Sequence, residues 1–304
     1  MSDLRPPELG AATGTSPAPG SDARAGSGRT SGRRALSPSL VIGGVLLGIT
    51  VLLALASILW TPYALTDTGS GPRLAGPSAA FWLGTDRLGR DVFTQFMAAA
   101  RSALLVAVSS VAIATVIGTV IGVVAAASIR VVDTVLAAVI DVLIAFPTLL
   151  LAMLVVTVRG ASLSSAILAI GIAGSAVIAR ITRINTARVL REEYVTAAIV
   201  SGTGWGGIVR RHVIPNVAPT LVVQMMLLGG ASILAEASLS YLGLGPPPPA
   251  PSWGRMLLEA QSTVSSQPWA AIAPGLAIAA TVLGLNLLGD GLRETLDPQL
   301  RRAR

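Results

Sequence analysis

The chain has 304 residues, 52% of them hydrophobic and 12% charged, with a formal net charge of +7 and a mean hydropathy of +0.72. Soluble domains carry about 25% charged residues, so this composition reads as a polytopic membrane protein. Cysteine and lysine are absent and His212 is the one histidine. That excludes disulfides, thiolate and multi-histidine metal sites, cysteine catalysis, and a phosphate-binding loop of the G-x-x-x-x-G-K-[ST] type, whose lysine contacts the nucleotide phosphates. Any ATP-driven role therefore needs a separate subunit.

Residues 1–38 are rich in Gly, Ser, Pro, Ala and Thr and lack apolar periodicity, which predicts a disordered tail. Six apolar runs follow, each near the ~20 residues that span a bilayer. The first covers 40–60, before Pro62. Arg33, Arg34 and the small residues Ala54 and Ala56 also fit a signal peptide, although the apolar run continues past them. Ahead of the second run lie Gly84, Asp86, Gly89, Arg90 and Asp91, with Asp91 placed to cap the coming helix. This segment reads either as a gate or receptor-docking element, or as a capped turn held by Arg–Asp pairs. The second run, 102–129, carries Gly118 and Gly122, a spacing that suits close helix packing.

The third run, 134–158, contains Asp141 and Pro147. Asp141 lies eight residues after Asp133, on roughly one helical face. An ionisable group at depth must face protein or water, so Asp141 either lines a pathway or pairs with an arginine of a neighbouring helix. The fourth run is 161–179. Residues 180–216 then form a large basic loop, with helical character at its start, glycines at 202, 204, 206 and 207, and a second short helix over 208–213 stopped by Pro215. The fifth run is 217–235. After it, 246–249 are four prolines, expected to be stiff and extended. The sixth run is 271–289. With the N-terminus inside, 16 of the 22 arginines fall on the inner side, which predicts that both termini are cytoplasmic.

Residue types within the loop carry a resemblance. Ala197 and Ala198, Gly202 four residues on, and Pro215 thirteen beyond that resemble the EAA loop of ATP-binding-cassette (ABC) importer permeases. Tyr194 to Ala198 (YVTAA) and Arg211 to Asn216 (RHVIPN) are similar, more narrowly, to the dipeptide/oligopeptide branch. Thr196 stands where the general motif has glutamate, with Glu192 and Glu193 one helical turn away. Residues 83–91 (LGTDRLGRD), 236–254 (EASLSYLGLGPPPPAPSWG) and 286–298 (NLLGDGLRETLDP) resemble further signatures of that branch.

The resemblance implies an all-α protein with the type I ABC-importer permease fold, its transmembrane domain covering 39–304 and its coupling helix in a cytoplasmic loop. It implies a C-type permease of the cell membrane that works with a second, related permease, two ATPase subunits that bind ATP and Mg, an extracytoplasmic substrate-binding protein, and membrane lipid. No nucleic acid partner and no cofactor bound by this chain are implied. The matching coupling-loop residues are Tyr194, Ala197, Ala198, Gly202, Trp205, Ile208, Arg211, His212 and Pro215. Trp205, Ile208 and Val209 are expected to enter a groove on an ATPase. Pathway or gate candidates are Asp141, Glu236, Asp86, Arg90 and Asp91. No metal site and no catalytic residue are expected. Peptides are the expected substrate, with nickel or another small solute as the alternative. An ion-coupled transporter would place more acids at midplane than Asp141, and a membrane hydrolase would need a nucleophile–base pair that these residues do not offer.

Overall fold

Helix α1, Pro38–Leu59, starts where Ser37 accepts a hydrogen bond from the Leu40 N–H (3.3 Å) and a proline fills the first turn, both ordinary start signals. These details come from a computed structural model that describes residues 37–296. The predicted tail therefore ends two residues early, because Ser37 and Pro38 belong to the helix start. Its remainder, residues 1–36, lies outside the described residues, as do 297–304.

Helix α2, Val92–Ala127, begins ten residues before the predicted second run. Asp91 explains the start: one carboxylate oxygen accepts from the Thr94 N–H (2.8 Å) and hydroxyl (2.7 Å). The predicted third run is two helices, α3 (Arg130–Ala145) and α4 (Thr148–Arg159), bent by 88°. Pro147 lacks an N–H and drives the preceding Phe146 into extended backbone (φ −76°, ψ 131°). Helix α5, Leu163–Val189, passes ten residues beyond the predicted fourth run. Ile178, Thr182, Thr186 and Val189 remain buried along it, so the inward-facing stripe continues after the first arginine.

The loop then holds α6 (Glu193–Val200) and α7 (Trp205–Ile208), a π turn over Val209–Val213, and α8 (Ile214–Tyr241). Pro215 does not stop the second short helix, which runs on into the membrane span. The Ile214 N–H reaches back to the Val209 carbonyl, and this wider turn lets the proline sit in the first turn of α8, where its missing N–H costs little. Outside the membrane, the four prolines are not extended: the Ala250 N–H donates to the Pro247 carbonyl (3.2 Å) and closes a turn. Helices α9 (Trp253–Ala260) and α10 (Trp269–Leu296) complete the chain. Among the described residues five helical segments are long and apolar enough to cross a bilayer, or six if the bent α3–α4 pair counts as one broken span.

Between helices in lipid, burial of apolar surface gives little drive and close packing takes over. The α2–α5 seam shows this. A Cβ on Gly118 would lie 2.6 Å from Ile178 Cβ and from the Ser175 carbonyl, and one on Gly122 would lie 2.6 Å from the Ala179 carbonyl. The predicted glycine pair is thus a backbone-to-backbone contact. Helices α1 and α10 are joined by a hydroxyl–hydroxyl bond between Thr50 and Thr281 (2.8 Å). In a core cluster that also holds Ala54 of α1 and Ile278 of α10, buried Trp253 of α9 donates its Nε1–H to the Phe96 carbonyl of α2 (3.1 Å).

Candidate functional site

The loop between α5 and α8 is built around one glycine. Gly202 has φ +83°, a region where an L-residue pays a steric penalty and glycine does not. The Thr203 N–H donates to the Ala198 carbonyl (3.0 Å) and the Gly202 N–H to the Ile199 carbonyl (2.9 Å), which is a Schellman cap on α6. Both orphan carbonyls are satisfied and the chain reverses toward α7.

Two groups of contacts fix this turn to the membrane helices. Ile208 is 2% exposed and packs with Val189, Val195, Val213, Val217 and Leu221. The Tyr194 ring lies 5.7 Å from that of His212. The Asn216 amide donates to the Tyr194 hydroxyl (3.3 Å) and to the His212 carbonyl (2.6 Å). These contacts join α6 and α7 to α5 and α8 through packed side chains, which resist compression.

Ile208 corrects the sequence expectation. It faces the chain's own core and has no surface left to enter a partner groove, and Val209 is half-buried. The outward apolar surface consists instead of Val200 (84% exposed), Ile199, Trp205 (46% exposed) and Tyr194. Ile199 and Val200 were missed. Their signal was available: two β-branched residues in the last turn before a capping glycine have nothing behind them to pack on. Ala197, Arg211 and Pro215 are exposed and Ala198 is half-buried.

The other candidates separate into three places. Asp141 pairs with Arg180 of α5 (2.8 Å), and Asp133 accepts from Arg183 Nε and Nη2 (2.5 and 2.8 Å), so an arginine of a neighbouring helix does stand against Asp141. Glu236 is 2% exposed in α8 and accepts from the Ser240 hydroxyl (2.7 Å). Asp86, Arg90 and Asp91 come together just before α2. Asp86 accepts from Arg90 Nε (2.7 Å), the Leu88 and Arg90 N–H groups (2.8 and 2.9 Å) and Gln95 (3.1 Å). Arg90 also reaches Glu259 of α9 (3.6 Å), which pairs with Arg255 (2.9 Å). Glu259 was missed, since its partner Arg90 lies some 170 residues away in sequence. Asp86, Arg90, Gln95 and Glu259 line a cavity of about 280 Å³. Among the described residues no cluster of three or more His, Cys, Asp or Glu side chains could hold a metal.

Residues 118–302 match the family model described as "Binding-protein-dependent transport system inner membrane component". A dipeptide transport system permease protein of Alkalihalophilus pseudofirmus is 37% identical over 261 residues, 86% of this chain and 86% of that one. A glutathione transport system permease protein of Pectobacterium atrosepticum is 40% identical over 259 residues, 84% and 86%. A di/tripeptide transport system permease protein of Pseudomonas aeruginosa is 39% identical over 230 residues, 76% of each chain. With five or six candidate spans among its described residues and relatives of this identity along most of its length, the chain belongs to the family of inner membrane components of binding-protein-dependent transport systems, the non-catalytic permease subunits of ABC transporters.

Proposed function

We propose that this permease imports short peptides, forming half of the translocation pathway beside a second, related permease. Two ATPase subunits carry ATP and Mg, and an extracytoplasmic binding protein delivers the substrate. Both termini and the 190–213 loop lie in the cytoplasm, as the arginine distribution supports. The dipeptide, di/tripeptide and glutathione transport named for the relatives supports a peptide substrate.

The observation that carries the coupling role is the outward patch of Tyr194, Ile199, Val200 and Trp205 on a turn fixed by Gly202. Apolar side chains of this size at a polar membrane face suit a partner groove. ATP binding closes the ATPases, the loop follows, and α5 and α8 rock because Ile208, Tyr194 and Asn216 tie the loop to them. The pathway then opens alternately to each side. Asp86, Arg90 and Asp91, with Glu259, form the outer gate or receptor-docking element in this reading. Asp141 and Glu236 are the candidates within the membrane.

Two experiments test it. Single cysteines placed in this cysteine-free chain should be labelled from outside at Ser70 and Ser262 and protected at Ser201; outside labelling at Ser201 inverts the topology and removes the coupling role. A thermal-shift screen of the binding protein should respond to di- and tripeptides; a response to nickel or haem alone would overturn the substrate assignment and leave the permease role standing.

A further inference from the structure

At the inner ends of α2, α3 and α5 lies a groove of about 650 Å³. Its charged lining is Asp133, Arg183, Arg188, Arg191 and Glu192, and exposed Ile184 forms part of an apolar wall. Asp133 and Arg183 neutralise each other through two hydrogen bonds. Arg188 and Arg191, three residues apart and both exposed, have no carboxylate within ion-pair distance among the described residues, and Glu192 on the rim forms no ion pair there either. Counting the groove as a whole leaves one positive charge in excess.

Depth adds the second argument. Helix α5 has 27 residues and so is about 40 Å long at ~1.5 Å per residue. The hydrocarbon core is only ~30 Å thick, which leaves roughly the last six or seven residues of α5 at headgroup level. Arg188 and Arg191 then lie among the lipid phosphates, while Ile184 faces the boundary of the acyl region. Helices α2, α3 and α5 line the groove through Ala126, Asp133 and residues 183–188, and the link between α5 and α6 adds Leu190, Arg191 and Glu192, whereas the patch assigned to the ATPase is on α6 and α7.

We propose that this groove binds the phosphodiester headgroup of an anionic phospholipid of the cytoplasmic leaflet. The guanidinium forks of Arg188 and Arg191 donate to the phosphate oxygens, a geometry suited to paired donors, and an acyl chain lies along Ile184. Basic pockets between helices on the cytoplasmic side are a recurrent headgroup site. The proposal rests on the cytoplasmic placement of the loop given above, but not on its engaging an ATPase.

The test is lipid retention by the full-length purified permease, delipidated in detergent and titrated with phosphatidylglycerol or phosphatidylcholine under native mass spectrometry. The protein is expected to retain phosphatidylglycerol in preference to phosphatidylcholine. The double variant Arg188→Gln/Arg191→Gln should bind phosphatidylglycerol at least tenfold more weakly, as expected for loss of two cations near the headgroup layer. Arg293→Ala, an exposed arginine at the inner end of α10, should retain it fully. Both variants should melt at the wild-type temperature, since the substituted side chains are exposed. If the double variant melts early, Arg188→Lys/Arg191→Lys, which keeps the charge and loses the fork, replaces it, with binding expected between the two. Equal retention by wild type and variant overturns the proposal. So does displacement of the lipid by inorganic phosphate at matched concentration, which would mark a free-phosphate site. Normal retention with weakened ATPase co-purification overturns it too and assigns the groove to the ATPase. The retention measurement needs no partner subunit, so its failure leaves the permease reading untouched.

Discussion

The Thr203 N–H donates to the Ala198 carbonyl across Gly202, at 3.0 Å. That single bond gives a physical reason for the spacing between the paired alanines and the glycine. A helix capped in this way needs its left-handed residue at a fixed distance after the carbonyl that receives the bond. Ala198 supplies the carbonyl, and Gly202 alone among the residues between them takes a positive φ.

Gly202→Asp should disrupt coupling rather than insertion. A Cβ there meets nothing within 4 Å, so the cost is backbone strain of about 1–2 kcal/mol plus a charge at the ATPase contact. The variant should insert and pair with its sister permease, yet lose ATPase association or substrate-stimulated hydrolysis. Gly202→Asn, a residue that tolerates the left-handed region, should retain more function than Gly202→Asp. Co-purification followed by hydrolysis with and without loaded binding protein measures both, and normal stimulation in the aspartate variant would remove the loop as the transmission point.

Val200 and Ile208 should respond in opposite ways. Val200→Asp changes an outward side chain, so stability should move by no more than about 0.5 kcal/mol while ATPase co-purification falls at least tenfold. Ile208→Ala empties part of a packed cluster and should cost about 2–5 kcal/mol, read as a lower melting temperature. A stable Ile208→Ala protein that merely loses its ATPase would mean that Ile208 faces the partner after all.

The cap and the α2–α5 seam were legible because each depends on local spacing: a glycine after a helix, and two glycines one turn apart. The length of α5 was not legible. Arg180 and Arg183 read as the start of a loop because their carboxylate partners, Asp141 and Asp133, lie on another helix some 40 to 50 residues earlier. A charge that looks exposed in sequence can stay helical when a neighbouring span satisfies it. The 88° bend at Pro147 and the helical passage through Pro215 show the same limit from the backbone side. Both are prolines within apolar sequence, and only the hydrogen bonds around them decide between a break and a π turn. The inward orientation of Ile208 depends on the direction of α7, which follows from the cap and from packing against Val217 and Leu221.

Gly118→Val should separate α2 from α5. The added side chain begins 2.6 Å from Ile178 Cβ and from a backbone carbonyl, and backbone cannot rotate out of the way. Overpacking of this kind costs about 1–3 kcal/mol, so the melting temperature should drop. Gly275→Val, at a position on α10 where a Cβ meets nothing within 4 Å, is the matched control and should not destabilise, since valine is a better helix former than glycine. Equal melting of the two variants would contradict the close seam.

The Asp133–Arg183 pair offers a test by exchange. Both side chains are about one-third exposed, at 31% and 29%, between the surface regime where ion pairs contribute little and the buried regime where breaking one is costly. Asp133→Asn should therefore destabilise by about 1–2 kcal/mol, since Arg183 keeps its charge but loses its bidentate acceptor. Arg183→Gln should cost a similar amount, because Asp133 is then left near the membrane boundary without its donor. If the pair itself fastens α3 to α5, the exchange Asp133→Arg/Arg183→Asp restores opposite charges at the same place. It should recover at least half of the lost melting temperature, and peptide uptake with it. Neighbouring Asp141 pairs with Arg180 at 2.8 Å and also lies close enough to favour the Arg183 charge, so the exchange should be repeated on an Asp141→Asn background, where the same recovery is expected. An exchange variant as unstable as the sum of the two single changes would mean that the charges serve surroundings other than each other, and the pair would then not be what holds α3 in place.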